Sequence, residues 1–378
     1  MLESISFILE RGIFSEVTMQ GSYLAIQSNS ESEELLKEEI ALRFPELRPS
    51  FSAPGFLTYK CGQGVVSEKD LTKFLPVYSL KVGIFYAKVG RKQLAEKLKQ
   101  LEKELAAAFF IEPTSSQCVE IDLLVKGQNG ALPRPNDWIV WIYLYEQKEC
   151  WINIYPFRPP ISSFGQLSST LPKDAPSRAY LKMAQTFDRL RLKKIQDPQT
   201  FLEIGCAPGG VAYFLLEEGH FLLGIDTGEM DQKLLNSPMA DRLKVIRRPV
   251  QEVRKSDLEK SLHRLSVPSF EWLANDLNLP IPMAFNEALR ISQYSLDLWG
   301  LLITLKTPSI ESLPQLMTAI KKISLPERDF YYVQALHLPA HKKECLLVAL
   351  KEKACKLLEF DPLKPYFSDD QDGPKNDQ

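Results

Sequence analysis

The sequence of 378 residues predicts an N-terminal α+β module followed by a doubly wound, mainly parallel α/β sheet. Three observations predict it. Short apolar strands alternate with helical patterns through the second half. The first half groups β-branched and aromatic strands around one amphipathic helix. A stretch rich in Pro and Ser, FRPPISSFGQLSSTLPKDAPS (157–177), separates the two halves. At roughly 100–200 residues per domain, the length fits two domains. The expected layout is a module over 1–157, a linker over 158–177, a second domain over 178–355 and a polar tail over 356–378.

In the first module, VGIFYAKVG (82–90), CVEIDLLVKG (118–127), WIVWIYLYE (138–146) and CWINIYP (150–156) read as strands. Between the first two, Leu94, Leu98, Leu101 and Leu105 recur at helical spacing within RKQLAEKLKQLEKELAAAFF, which predicts a helix with its Leu stripe on the core. In the second domain TFLEIG (200–205) runs into a helix from about Gly209. Then come strands FLLGID (221–226), LKVIRRPV (243–250) and FEWLAND (270–276), a helical stretch near 283–299, and LLITLK (301–306). A further helix near 309–323 precedes YYVQALHL (331–338) and ECLLVAL (344–350).

Hydrophobic residues make up 44% and charged residues 25%, the mixture of an ordinary globular protein. Lys plus Arg number 46 against 48 Asp plus Glu, for a net charge of −2, which excludes a polycation but not a nucleic-acid partner met by local patches. The six cysteines are scattered without a C-x-x-C pair and there are four His, so neither a disulfide framework nor a metal site is expected. Reduced thiols, the absence of a basic-then-apolar leader and the absence of an apolar run of about 18 residues predict a cytoplasmic protein with no membrane partner.

The strongest local signal is Phe201-Leu-Glu-Ile-Gly-Cys-Ala-Pro-Gly-Gly210. An apolar strand enters Gly205, and Gly209-Gly210 opens a helix; small residues there let a ligand approach the backbone or allow a positive φ. The G-x-x-x-G-G spacing matches neither the dinucleotide fingerprint nor a P-loop. Asp226 ends the next strand, where a carboxylate accepts hydrogen bonds from ribose hydroxyls. This set suits a nucleoside-bearing cofactor such as S-adenosyl-L-methionine. It also suits a plain strand-to-helix turn with Asp226 as a helix cap.

Four further residues fall where such a sheet places its chemistry. Lys182 precedes the first strand, Asp276 ends FEWLAND, Lys306 ends LLITLK, and Glu344 begins ECLLVAL. Methylating a ribose 2′-hydroxyl requires removing its proton as the methyl arrives. A neutral lysine would do this if a neighbouring cation and partial desolvation depressed its pKa while a carboxylate oriented it. Lys182 would supply the cation, Glu344 the orienting carboxylate, and Asp276 would position the hydroxyl and the methyl donor. Each of these residues also has a bland reading as a solvated surface charge.

DAPSRAYLKM (174–183), EIGCAPGG (203–210), GIDTGEM (224–230), LANDL (273–277) and TLK (304–306) occur in an order that resembles the FtsJ-type ribose 2′-O-methyltransferases, most nearly those of RlmM type, bacterial enzymes that methylate a cytidine of 23S ribosomal RNA. The resemblance covers roughly residues 160–350. It implies a Rossmann-like methyltransferase fold with a Lys-Asp-Lys-Glu tetrad at Lys182, Asp276, Lys306 and Glu344, in which Lys306 is the general base. It implies that Ser177, Ala207, Pro208, Gly209, Gly210 and Asp226, on the turn that starts at Gly205, line an S-adenosyl-L-methionine site that Asp276 also touches. It further implies an N-terminal THUMP-like module that binds RNA. Two positions depart from the family pattern. Glu203 stands where Asp is usual, and the third strand is followed by Arg248, Pro249 and Val250 where an acid that contacts adenine is expected, with Glu252 the next acid.

Arg178, Lys182, Arg189, Arg191, Lys193 and Lys194, and then Arg242, Lys244, Arg247 and Arg248, form basic clusters that would meet phosphates or else line a solvated face balanced by acids. Asn275-Asp-Leu-Asn278 lacks the Pro-Pro-aromatic continuation of enzymes that methylate amino groups, and no cysteine follows the strands ending at Asp276 and Lys306 to attack a pyrimidine. Two rival readings remain: a non-catalytic RNA-binding or ribosome-assembly protein that keeps the methyltransferase fold, and a small-molecule methyltransferase.

Overall fold

The computed structural model describes residues 20–62, 66–67, 71, 74–105, 109–112, 133–134, 136–159 and 167–360. The chain forms two compact units, one of residues 1–30 and 40–166 and one of residues 31–39 and 167–378. The division at 166/167 falls inside the predicted linker.

The first unit contains strands β1 (Gln20–Gly21), β2 (Tyr23–Ser28), β3 (Leu47–Ala53), β4 (Phe56–Cys61), β5 (Val66–Ser67), β6 (Ser79–Gly90), β7 (Phe109–Ile111), β8 (Trp138–Tyr145) and β9 (Glu149–Pro156). Helix α1 (Glu33–Arg43), whose residues up to Glu39 are grouped with the second unit, follows β2, and α2 (Leu94–Leu105) follows β6. Seven strands pair in the order β3-β4-β2-β6-β9-β8-β7, all neighbours antiparallel except β7 with β8. The β3–β4 hairpin turns through Pro54, which fixes φ, and Gly55 at φ +74°. The predicted Leu stripe of α2 is buried at Leu94, Leu98, Leu101 and Leu105. The helix is shorter than its pattern at the N-terminal end, where a one-turn 3₁₀ segment occupies residues 91–93. The predicted strand at 118–127 lies outside the described residues.

The second unit contains α3 (Ala179–Leu190), β10 (Thr200–Ile204), α4 (Gly210–Glu217), β11 (Phe221–Asp226), α5 (Gln232–Leu235), β12 (Leu243–Arg247) and α6 (Lys255–Leu265). It continues with β13 (Trp272–Asn275), α7 (Ile281–Ser292), β14 (Gly300–Lys306), α8 (Leu313–Ile323), β15 (Tyr332–Leu336), β16 (Glu344–Leu350) and α9 (Glu352–Leu358). Its seven strands take the order β12-β11-β10-β13-β14-β16-β15, and only β16 runs against its neighbours. This is the doubly wound, mainly parallel α/β sheet that the alternation predicts.

Four boundaries differ from the pattern, each for a local reason. β12 stops at Arg247 rather than 250, because Pro249 has no N–H for a ladder. β13 stops at Asn275, whose side chain donates to Ala284 O (2.9 Å) and accepts from Leu277 N (2.9 Å), turning the chain out of the sheet. α7 begins at Ile281, with Pro in its first turn, and ends at Ser292. The predicted end of the domain at 355 falls inside α9, where Ala354, Cys355 and Leu358 are buried, so the packed unit runs on to Phe360. Among the described residues no helix is long and apolar enough to cross a membrane.

Candidate functional site

β10 and β13 lie side by side with Ile204 opposite Asn275, and the chain leaves them in opposite directions across the sheet, towards β11 from one and β14 from the other. That is the topological switch point, where the carboxyl ends of parallel strands open a crevice. Three of the predicted catalytic residues follow from it. Asp276 leaves the end of β13, Lys306 is the last residue of β14, and Glu344, first residue of the reversed strand β16, pairs in register with Lys306. Lys182 reaches them from the first turn of α3.

The four side chains close into a ring. Lys182 Nζ lies 3.0 Å from Asp276 Oδ2 and 2.6 Å from Glu344 Oε1. Lys306 Nζ lies 2.7 Å from Asp276 Oδ1 and 2.6 Å from Glu344 Oε2. Each ammonium bridges both carboxylates and each carboxylate both ammoniums. The side chains are between 11% and 25% exposed, so the ring is mostly shielded but reached by solvent.

The expectation of a lysine with a depressed pKa is corrected here. Burial pushes the Lys306 ammonium down, but the Asp276 and Glu344 carboxylates outweigh it and the net shift is upward. Glu344 moves the other way: burial raises its carboxyl, and the Lys182 and Lys306 ammoniums more than reverse that. Two anions beside Lys306 against the cost of burial decide the sign.

The glycine turn lies next to this ring. Gly205 stands at φ +83°, and a Cβ there would come within 3.1 Å of the Asp276 backbone. Gly209 takes the N-cap of α4 at φ +115°, and a Cβ on Gly210 would collide with Ser177 Oγ. These glycines make room for the chain itself, holding Asp276 against the turn and α3 against α4, and the positive φ that the motif allowed is found at Gly205 and Gly209. Ser177 accepts a 3.3 Å bond from Ala179 N at the start of α3, beside that turn.

Asp226 also has local work. Its Oδ2 accepts from Ala207 N (2.8 Å) and its Oδ1 from Gly228 N (2.8 Å). The helix-cap alternative does not hold, because α5 is capped by Asp231, whose Oδ1 accepts from Lys233 N at 2.8 Å. Asp231 N in turn donates to Pro208 O (2.9 Å), which ties the loop after β11 back to the glycine turn. With one backbone partner on each oxygen, the partly exposed Asp226 keeps a lone pair on each for a diol. α4 has no side-chain cap, so the N–H groups of its first turn remain available to an anion. Glu252, the nearest acid after β12, is exposed on a single 3₁₀ turn.

The basic clusters are largely matched within the unit. Arg189 is buried, and Arg242 donates to Leu216 O and His220 O. Lys193, Lys194, Arg247 and Arg248 pair with Glu218, Glu359, Glu229 and Asp257. Arg178, exposed at the N-cap of α3, has no carboxylate partner among the described residues. The balanced-face reading thus accounts for Lys193, Lys194, Arg247 and Arg248.

One residue escaped sequence reasoning as part of the site. Glu203 is 2% exposed at the centre of β10, and its Oε2 has no hydrogen-bond partner among the described residues. Burial pushes its carboxyl well above the usual range, and Asp276 and Asp226 add to the shift. It lines a cavity of about 20 Å³ with Lys182, Thr186, Asn275, Asp276 and Thr304, space for about one water. The signal was an acid in the middle of an otherwise apolar strand.

The site thus combines a doubly wound sheet of strand order β12-β11-β10-β13-β14-β16-β15, a glycine turn after β10 and a Lys-Asp-Lys-Glu ring. Residues 175–286 match the family described as FtsJ-like methyltransferase. A stretch of 69 residues is 35% identical to the ribosomal RNA large subunit methyltransferase M of Shewanella sp. (strain W3-18-1), covering 17% of this chain and 19% of that protein. The protein of the same name from Pseudoalteromonas atlantica is 33% identical over 86 residues, 21% of this chain and 24% of that one. These matches span only about a fifth to a quarter of the relatives' length. Among solved structures, TrmN from Thermus thermophilus aligns with 88% of this chain and 100% of its own at 15% identity and a TM-score of 0.34.

Proposed function

We propose that the chain is an S-adenosyl-L-methionine-dependent RNA ribose 2′-O-methyltransferase whose substrate is large-subunit (23S) ribosomal RNA. The observation that carries the reading is the closed ring of Lys182, Asp276, Lys306 and Glu344 at the switch point, beside the glycine turn and Asp226. The residues present fit the cofactor: Asp226 has free acceptor capacity for the ribose hydroxyls, and the uncapped α4 terminus suits a carboxylate. When bound, S-adenosyl-L-methionine supplies an electrophilic methyl group on a sulfonium that becomes a neutral thioether.

The chain's own residues do the rest. The hydroxyl oxygen bonds to the methyl carbon as its proton passes to Lys306 Nζ, which must first have lost its own. Lys182 holds the two carboxylates in place, Glu344 holds Lys306 at the edge of the ring, and Asp276 orients the hydroxyl. The large-subunit substrate is carried over from the names of the relatives. The missing acid after β12 favours a second reading, a non-catalytic RNA-binding or assembly protein of the same fold.

One experiment separates them. Radiolabelled methyl transfer into large-subunit RNA should fall by about 10²–10⁴-fold in Lys306→Ala, as for a lost general base, while calorimetric affinity for the cofactor stays the same. Full turnover in that variant removes Lys306 from the mechanism. No cofactor binding by the wild type favours the non-catalytic reading.

A further inference from the structure

Glu344 stands at a corner of the sheet where its backbone lacks a strand on one side. Thr307 N donates to Lys343 O (2.8 Å), so in the antiparallel β14–β16 ladder the backbone of the next residue, Glu344, faces away from β14. On that side β15 has already ended at Leu336, opposite Leu346. A side chain takes the place of the strand: His337 Nδ1 lies 3.0 Å from Glu344 O. The other ring nitrogen, Nε2, lies 3.0 Å from Ser32 Oγ, 305 residues earlier in the chain. Ser32 belongs to the segment 31–39 that groups with the second unit, and both residues are buried.

These partners fix the proton on the imidazole. A carbonyl oxygen only accepts, so Nδ1 carries the hydrogen and donates to Glu344 O. Burial lowers the pKa of His337 to about 4, so the ring is neutral at pH 7 and Nε2 accepts from the Ser32 hydroxyl. The connection between β15 and β16 is pinned elsewhere too: Ala340 N donates to Gln185 Oε1 of α3 (2.7 Å), and Lys342 Nζ lies 3.2 Å from Glu31 Oε1. The Lys342–Glu31 pair is exposed and contributes little, which leaves the buried bond to His337 as the direct hold on Glu344.

We propose that His337, oriented by Ser32, is a positioning residue that keeps Glu344 in register so that its carboxylate reaches both Lys306 and Lys182. Glu344 Oε2 lies 2.6 Å from Lys306 Nζ, and a shift of about 1 Å at the Glu344 backbone is enough to open that side of the ring. A neutral donor secures Glu344 without placing another cation beside Lys306. The titratable groups around Lys306 are Asp276, Glu344, Lys182 and His341, and those around His337 are Glu344 and His341, itself held neutral by burial. If Glu344 withdraws, Lys306 keeps one anion, Asp276, and its pKa falls. The catalytic consequence rests on the reading of Lys306 as the base; the hold on Glu344 does not.

Two substitutions separate the ring nitrogens. His337→Asn places an amide N–H where Nδ1 stands and keeps a donor for Glu344 O, whereas His337→Gln reaches only the place of Nε2 and loses it. The test, on the full-length protein, is limited acetylation by acetic anhydride between pH 7 and about pH 10, with Lys306 read by peptide mass spectrometry against exposed lysines. Single-turnover methyl transfer and calorimetric cofactor affinity are measured beside it. His337→Gln should raise Lys306 labelling about tenfold, for the weakened grip of one of its two anions, and slow methyl transfer about 10–100-fold with cofactor affinity unchanged. His337→Asn should recover most of both, and Ser32→Ala should act in the direction of His337→Gln but less. Unchanged Lys306 labelling in a folded His337→Gln variant overturns the proposal. So does an Asn variant as altered as the Gln variant, or an unchanged rate in the Gln variant when the wild type is active. If His337→Gln does not fold, wild-type labelling in Ser32→Ala overturns it. A wild type that transfers no methyl group refutes the functional reading, and the labelling of Lys306 still decides the role of His337.

Discussion

At the scale of single residues, the protonation state of Lys306 sets the conditions under which the proposed chemistry runs. Asp276 at 2.7 Å and Glu344 at 2.6 Å stabilise its ammonium and raise its pKa despite burial, so the neutral form that accepts a proton is scarce at neutral pH. The rate of methyl transfer under single-turnover conditions should therefore climb with pH from about 7 upward, close to tenfold per unit, until Lys306 titrates. Lys306→Arg keeps the positive charge but cannot lose its proton, and should be inactive across the whole range. A flat profile in the wild type would mean that another group takes the proton. The sequence placed the two lysines and two carboxylates correctly along the chain. It misjudged the electrostatic balance, because spacing does not reveal that each lysine touches both acids.

Among the elements, β10 and the turn that follows it do the positioning. Gly205 at φ +83° brings the turn against the backbone of Asp276, whereas Gly219 at φ +92° has nothing within 4 Å of its absent side chain. The two glycines share a backbone conformation and differ in their surroundings. Gly219→Ala should cost about 1 kcal/mol, from the left-handed backbone alone, and leave methyl transfer intact. Gly205→Ala adds a collision with Asp276 and should cost more, by thermal or denaturant unfolding, while lowering activity. Equal costs at the two sites would show that the contact with Asp276 is loose. The positive φ at Gly205 was readable as a possibility from the motif; what it approaches was not. The same limit applies to β2, β3 and β4, for which the sequence patterns predicted no individual strands. Their faces alternate poorly, as in β3, where only Leu47 and Ala53 at the two ends are buried.

For the whole molecule, buried titratable groups limit stability at both ends of the pH range. His220 and His337 are buried and their pKa values are lowered to about 4, by desolvation first, with Arg242 adding to it at His220. The unfolded chain takes up these protons near the ordinary histidine value and the folded one does not. The stability they contribute is therefore present above about pH 6.5 and lost as pH falls towards 4, by about 3 kcal/mol each at most. Glu203 has the opposite sign. Its folded carboxyl is raised well above the usual range, so its contribution is present below the unfolded value and lost as pH rises. Thermal midpoints measured from pH 4 to pH 9 should trace a dome, and Glu203→Gln should lift its neutral and alkaline side while leaving the acid side in place. A midpoint unaffected by this substitution at high pH would mean that Glu203 is ionised and paired in the fold.

By itself the sequence determined the alternation of strands and helices in the second unit, the Leu stripe of α2, the glycine turn and the order of Lys182, Asp276, Lys306 and Glu344, because each is a matter of local pattern or of position at a strand end. Only the tertiary structure decided that these four side chains close into one ring, that the glycines make way for Asp276 and Ser177, and that most of the basic clusters are spent on nearby acids and carbonyls. It alone left Glu203 on β10 without a partner for its Oε2 among the described residues. The physical reason is the same in each case. Charge pairing, burial and close contact depend on which groups from distant parts of the chain come within a few ångströms, and a periodic pattern carries no information about that distance.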